Sequence, residues 1–104
     1  MITMEITKTS MDNSVILKVS GKIGNSTSGK FLEEILAAVP QKKKTVLDFS
    51  LLEYINSTGL RALLQGLQLA EETGAELIVK DARAEINELF RITGFDELLK
   101  IVYA

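Results

Sequence analysis

Apolar and polar residues alternate singly in two stretches near the start of the chain. Ile2, Met4 and Ile6 sit between Thr3, Glu5 and Thr7, and Val15, Leu17 and Val19 interleave with Ile16, Lys18 and Ser20. A period of two is the mark of half-buried strands, and Asp12-Asn13 between them is a turn signal, so the pattern predicts an antiparallel hairpin. Residues 21–29, rich in Gly, Ser, Thr and Asn, read as a loop. Beyond it the period changes. Phe31, Leu32, Ile35, Leu36 and Val39 recur at helical spacing until Pro40 interrupts them.

The run Lys42, Lys43, Lys44 reads as a solvated connection before a strand over residues 46–48. Residues 49–55 are expected to connect that strand to a helix marked by Leu60, Leu63, Leu64, Leu67 and Ala70 and ended by Gly74. Leu63 and Leu64 are both expected in the core. Leu77, Ile78 and Val79 form a central strand, Asp81 is placed to cap a further helix carrying Ile86, Leu89 and Phe90, and Gly94 closes it. Phe95, Leu98 and Leu99 add one helical turn, and residues 101–103 form either an edge strand or a docked tail. Strands alternating with helices imply one α/β domain over residues 1–104. Its sheet is open, mixed and mainly parallel, with the hairpin on one side and helices packed against it.

Composition narrows the chemistry. The chain has 104 residues, 46% hydrophobic and 25% charged, as expected of a globular domain that folds alone. Twelve Lys and Arg against fourteen Asp and Glu give a net charge of −2, which provides no field for a nucleic-acid backbone. The absence of Cys and His removes disulfides, thiolates, the commonest general base and the commonest transition-metal ligands. No metal and no cofactor are therefore expected, and no enzyme. The polar-interrupted N-terminus lacks the apolar core of a signal peptide, and no stretch is long enough to span a bilayer, which makes the cytoplasm the expected location and membrane insertion unexpected.

The informative segment is residues 48–60, DFSLLEYINSTGL. Asn56, Ser57 and Thr58 are capping residue types at the start of the Leu60 helix, and on the residues alone Ser57 reads first as the helix cap. The same helix start tolerates an anion, so a phosphate on Ser57 would act as a charge switch. A nucleophile elbow is not matched: Asn56-Ser57-Thr58-Gly59 keeps one glycine only, and no histidine exists to take the proton. Residues 21–30 lack the Gly-Lys-Ser/Thr ending of a P-loop, and the pairs Glu33-Glu34 and Glu71-Glu72 have no metal-ligand spacing.

With the hairpin and Gly21 before it, and Leu89-Phe90-x-Ile92-Thr93-Gly94-Phe95 after it, this segment resembles the STAS domain family of bacterial anti-sigma factor antagonists. The resemblance covers essentially the whole chain. It implies a compact α/β domain that binds an anti-sigma factor, usually also a serine kinase of the GHKL type, and so frees a sigma factor. It further implies that phosphorylation of Ser57 blocks binding and that a PP2C-type phosphatase reverses it. The contact surface carried over is Gly24, Asn25, Asn56, Ser57, Thr58 and Arg61. Two positions depart from the family pattern. Asn56 stands where an Asp usually precedes the phospho-acceptor, and Gly21-Lys22-Ile23-Gly24 stands where Gly-x-Leu-Asp is usual. The neutral pair Gly24 and Asn56 also fits an alternative from the same family, an unphosphorylated assembly subunit like those of lipid-transport ABC systems or the STAS parts of anion transporters.

Overall fold

The computed structural model describes residues 3–102. Chain order is β1 (Met4–Met11), β2 (Ser14–Ile23), α1 (Ser28–Ala38), a 3-10 turn (Val39–Gln41), β3 (Lys44–Ile55), α2 (Ser57–Thr73), β4 (Glu76–Lys80), α3 (Ala84–Thr93), α4 (Phe95–Leu98) and β5 (Lys100–Val102). The five strands form one sheet in the order β1-β2-β3-β4-β5. β1 and β2 are the antiparallel hairpin, turned at Asp12-Asn13, and every later pairing is parallel. β5 pairs with β4, so the chain end forms an edge strand rather than a docked tail, while Ile2 and Tyr103 lie outside the described residues.

Each parallel strand lies beside its predecessor, and right-handed crossovers that always step the same way put all the connecting helices on one face. Burial agrees. Val15, Leu17, Val19, Leu47, Phe49, Leu77 and Val79 form one core cluster with Phe31, Ile35, Leu63, Ala70, Ile86 and Phe90 from the helices. Their strand neighbours Ile16, Lys18, Val46 and Asp48 are outside that cluster. The strand order never reverses, so the sheet lacks the switch-point crevice where doubly wound domains bind small ligands.

Several expectations are corrected. Residues 49–55 are not a connection: β3 runs unbroken from Lys44 to Ile55. Its register against β2 slips between Lys18 and Ser20 and again between Gly21 and Lys22, each time placing an extra β3 residue in the ladder. The inward residues are therefore Thr45, Leu47 and Phe49, then Leu52 and Ile55, a spacing that conceals the strand period. Gly21 does not open a loop. It sits inside β2 at φ +89, and a Cβ there would come within 2.3 Å of the Thr3 carbonyl oxygen. The strand continues to Ile23, and α1 begins earlier than expected, at Ser28. Asp81 does not cap α3. It adopts a left-handed conformation at φ 58, and its N–H donates to the Val102 carbonyl, while Arg83 occupies the cap position without a side-chain bond. Leu63 is fully buried but Leu64 only half-buried, because the stripe facing the sheet passes through Gly59, Leu63, Gly66 and Ala70. Gly74 and Gly94 end their helices as expected.

Candidate functional site

The C-terminal ends of β2 and β3 converge on one tip of the domain. Asn56 N–H donates to the Ile23 carbonyl at 3.1 Å, joining the two strand ends. Residues 24–27 cross from β2 to α1, and Thr27 latches this loop: its hydroxyl accepts from Gly24 N–H at 2.8 Å and donates to the Lys22 carbonyl at 2.9 Å. The Gly24 carbonyl accepts from Thr27 and Ser28 N–H. Thr27 was not singled out from the sequence, although a Thr three residues after a loop glycine is a recognisable side-chain turn signal.

Asn56, not Ser57, caps α2. Asn56 has extended backbone (φ −111, ψ −169), and its side chain accepts from Thr58 N–H and Gly59 N–H. Its Oδ1 also accepts from the Thr58 hydroxyl at 2.7 Å, and its Nδ2 donates to Asn25 Oδ1 at 3.1 Å. The capping reading of Ser57 fails because the preceding residue takes that position and Ser57 is already the first helical residue. Among the described residues no hydrogen bond engages the exposed Ser57 hydroxyl. Gly59 fixes where this helix start sits: a Cβ there would come within 2.6 Å of Ile55 Cγ1 and 2.8 Å of Ile23 Cγ2. Only a bare Cα lets α2 rest directly on the strand ends.

Of the surface residues expected from the sequence, the fold joins Asn25, Asn56 and Thr58 in one hydrogen-bonded cluster, with Ser57 exposed beside it. Arg61 is exposed one turn along α2 and lines a groove of about 230 Å³ with Ser28, Gly29, Leu32, Thr58, Ala62 and Gln65. Gly24 is buried, so it shapes the loop that presents Asn25 and offers no surface itself. Tyr54 and Leu51, each 46% exposed, lie on the second half of β3, whose irregular period conceals them in the sequence. A depression of about 440 Å³ lies elsewhere, between Asn13, residues 39–43 and residues 73–75. Among the described residues no group of three His, Cys, Asp or Glu could hold a metal ion, and no helix is long and apolar enough to cross a membrane.

Replacing Asn56 by Ala removes the acceptor for two helix-start N–H groups and the tie to Asn25. A loss of about 1–2 kcal/mol is expected, read as a fall in Tm on the order of 4–16 °C for a domain of this size. An unchanged Tm would show that the cap is dispensable.

Asp48, at the centre of β3, carries a second testable feature. Partial burial pushes its carboxyl up, but hydrogen bonds from Ser50 and the charges of Lys80 and Lys18 outweigh this and hold it below the ordinary carboxylate range. A carboxyl depressed by folding adds stability that is complete above its unfolded value, about 3.8, and is lost as pH falls through the folded one. The Tm advantage of wild type over Asp48→Asn should therefore shrink between about pH 5 and pH 3. An advantage that does not change with pH would contradict it.

Residues 6–102 match the family model described as Mlab, STAS domain. BtrV of Bordetella bronchiseptica, a candidate anti-sigma factor antagonist, is 33% identical over 94 residues, covering 88% of this chain and 80% of that protein. The crystal structure of an anti-sigma factor antagonist from Mycobacterium paratuberculosis superposes with a TM-score of 0.82 at 22% identity, covering 96% of this chain and 86% of the other. The Bacillus cell fate determinant SpoIIAA in its phosphorylated form gives a TM-score of 0.75 at 14% identity, with 96% and 91% covered. BtrV and the Mycobacterium protein both carry the name anti-sigma factor antagonist. With the family model spanning nearly all of its length and a relative of this identity, the chain belongs to the STAS domain family.

Proposed function

We propose that this chain is an anti-sigma factor antagonist that works by partner switching. In the unphosphorylated state it binds an anti-sigma factor, also a serine kinase of the GHKL type, and so frees a sigma factor. Transfer of the γ-phosphoryl group from ATP to Ser57 Oγ, with release of ADP and loss of the hydroxyl proton to the kinase, ends that binding, and hydrolysis of the phosphoserine to serine and inorganic phosphate by a PP2C-type phosphatase restores it. The observation that carries this reading is the Ser57 hydroxyl: exposed, at the first position of α2, and relieved of capping by Asn56.

The hydrogen bonding around the helix start explains what a phosphate would do. Thr58 and Gly59 N–H are already taken by Asn56 Oδ1, and Leu60 N–H by the Asn56 carbonyl. A phosphate on Ser57 would therefore gain the favourable end of the helix dipole without displacing a bond. It adds about −1.5 to −2 charges to the surface and leaves the fold in place. Relatives bearing the name anti-sigma factor antagonist, and the similarly folded Bacillus cell fate determinant solved in a phosphorylated form, support the same reading.

The test adds the purified chain to the complex of each anti-sigma factor of the source organism with its sigma factor, followed by size-exclusion chromatography. The expected result is free sigma factor with unmodified chain, and none after the chain has been incubated with the kinase and ATP. Every complex intact at excess chain would overturn the reading. The alternative of an unphosphorylated assembly subunit draws on the neutral Asn56 and the buried Gly24. It predicts that Ser57 stays unmodified by mass spectrometry and that no sigma factor is released.

A further inference from the structure

The connecting helices cover one face of the sheet and leave the other bare. Cross-strand register sets Thr9, Ile16, Val46 and Ile78 side by side on the bare face, in a row across β1 to β4. Ile16, Val46 and Ile78 stand outside the core cluster on the helix side. The same register brings Met11, Leu51, Tyr54 and Val102 to this face, through their pairing with Ser14, Ser20, Lys22 and Lys80. These are four of the seven exposed large apolar residues among those described, and the other three, Leu36, Ile92 and Leu98, are scattered over three helices. Apolar side chains gathered on one bare face mark an interface, whereas single ones on helices do not. The charges beside the apolar row alternate in sign. Lys18, Asp48 and Lys80 stand in register on one side of it, and Ser14, Lys44 and Glu76 on the other. Glu76 meets Lys100 at 3.3 Å, while Lys44 takes part in no ion pair among the described residues.

We infer that two copies of this chain pack their bare faces together about a twofold axis that runs along the Ile16-Val46-Ile78 row. That rotation keeps the apolar row facing itself, Val46 against Val46, and exchanges the two flanking rows. Asp48 of each copy then faces Lys44 of the other, and Lys80 faces Glu76, so four pairs of opposite charge close around an apolar centre. Packed sheets lie about 10 Å apart with their strands turned by about 30°. β3 is the middle strand of five, so this turn displaces its residues least and leaves Asp48 and Lys44 within reach of each other. The charge pattern also selects the occupant. A surface of single sign, such as a polyanion or an anionic membrane, would meet Asp48 and Glu76 as well as the lysines, whereas the face's own twofold image complements it. Ser57 has no part in this contact, and the inference stands independently of the proposed function.

The test is sedimentation equilibrium of the full chain from about 1 μM to about 1 mM, the range of weak to moderate association. The expected result is a reversible monomer–dimer equilibrium with no larger species, because a twofold contact closes on itself. Lys44→Glu sets an acid against Asp48 of the other copy and is expected to weaken the dimer at least about tenfold. Asp48→Lys should do the same by setting two lysines together. An equimolar mixture of the two variants is expected to dimerise about as well as wild type, since both crossed pairs of the mixed dimer regain opposite charges. Ile92→Ser, at an exposed apolar position on α3, should leave the dimer unchanged. Far-UV circular dichroism and Tm establish that each variant is folded, and Lys44→Glu, at an exposed position, keeps the test decisive without Asp48→Lys. A monomer across the whole range would overturn the inference. So would a dimer indifferent to Lys44→Glu, which would lie on another surface. A monomeric chain whose binding to an anti-sigma factor is lost with Lys44→Glu would assign the face to that partner and overturn the inference as well.

Discussion

Phe49→Ala is expected to lower the unfolding free energy by about 3–5 kcal/mol, the range for emptying a buried aromatic site. Phe49 is completely buried in the middle of β3, with its ring 6.2 Å from that of Phe31 on α1, so it joins the sheet to the first helix. A domain of this size has about 5–15 kcal/mol of net stability, and the loss would consume a large share of it. Tm should fall by more than about 10 °C. Phe49→Leu, which keeps most of the volume, should recover the greater part. Urea denaturation of both variants checks this, and an unchanged midpoint for Phe49→Ala would contradict the placement of β3 at the centre of the core.

The same residue marks where the sequence stops being legible. Strands and helices with an unbroken period were readable directly: the hairpin, the Phe31 helix, the Leu60 helix and the Leu77 strand all stand where their spacing puts them. Phe49 reads as part of a connection because β3 inserts two extra residues against β2, and the inward positions then fall at irregular intervals. That misreading also concealed Leu51 and Tyr54, which belong to an exposed strand surface beside the tip. At the start of α2 the sequence places the helix correctly but points to the wrong residue as its cap. Asn, Ser and Thr are all capping types, and only the backbone conformation distinguishes the residue before the helix from the first one in it. Gly24 was expected at the surface, but the Thr27 latch that draws it inward depends on the loop's folded path. Asp81 was misplaced as a cap because its left-handed turn is set by pairing with β5 at the far end of the chain.

Ser57→Asp is expected to fold like wild type and yet bind the anti-sigma factor at least about tenfold more weakly, which is on the order of 1.4 kcal/mol. Folding is spared because Ser57 is exposed and makes no side-chain hydrogen bond among the described residues, and because a negative charge suits the first turn of α2. Binding is lost because the new charge must be desolvated in the interface. Ser57→Ala should bind as wild type does and resist inactivation by the kinase. Equal affinities for Ser57→Asp and wild type would leave the Ser57 hydroxyl without a part in the interface.

The most direct measurement replaces the mimic by the modification. The chain is made with phosphoserine installed at position 57 during synthesis, so no kinase is needed, and is titrated calorimetrically against the anti-sigma factor beside the unmodified chain. Partner switching predicts tight binding of the unmodified chain, loss of binding with phosphoserine, and recovery after treatment with a PP2C-type phosphatase. Undiminished binding of the phosphorylated chain would contradict it.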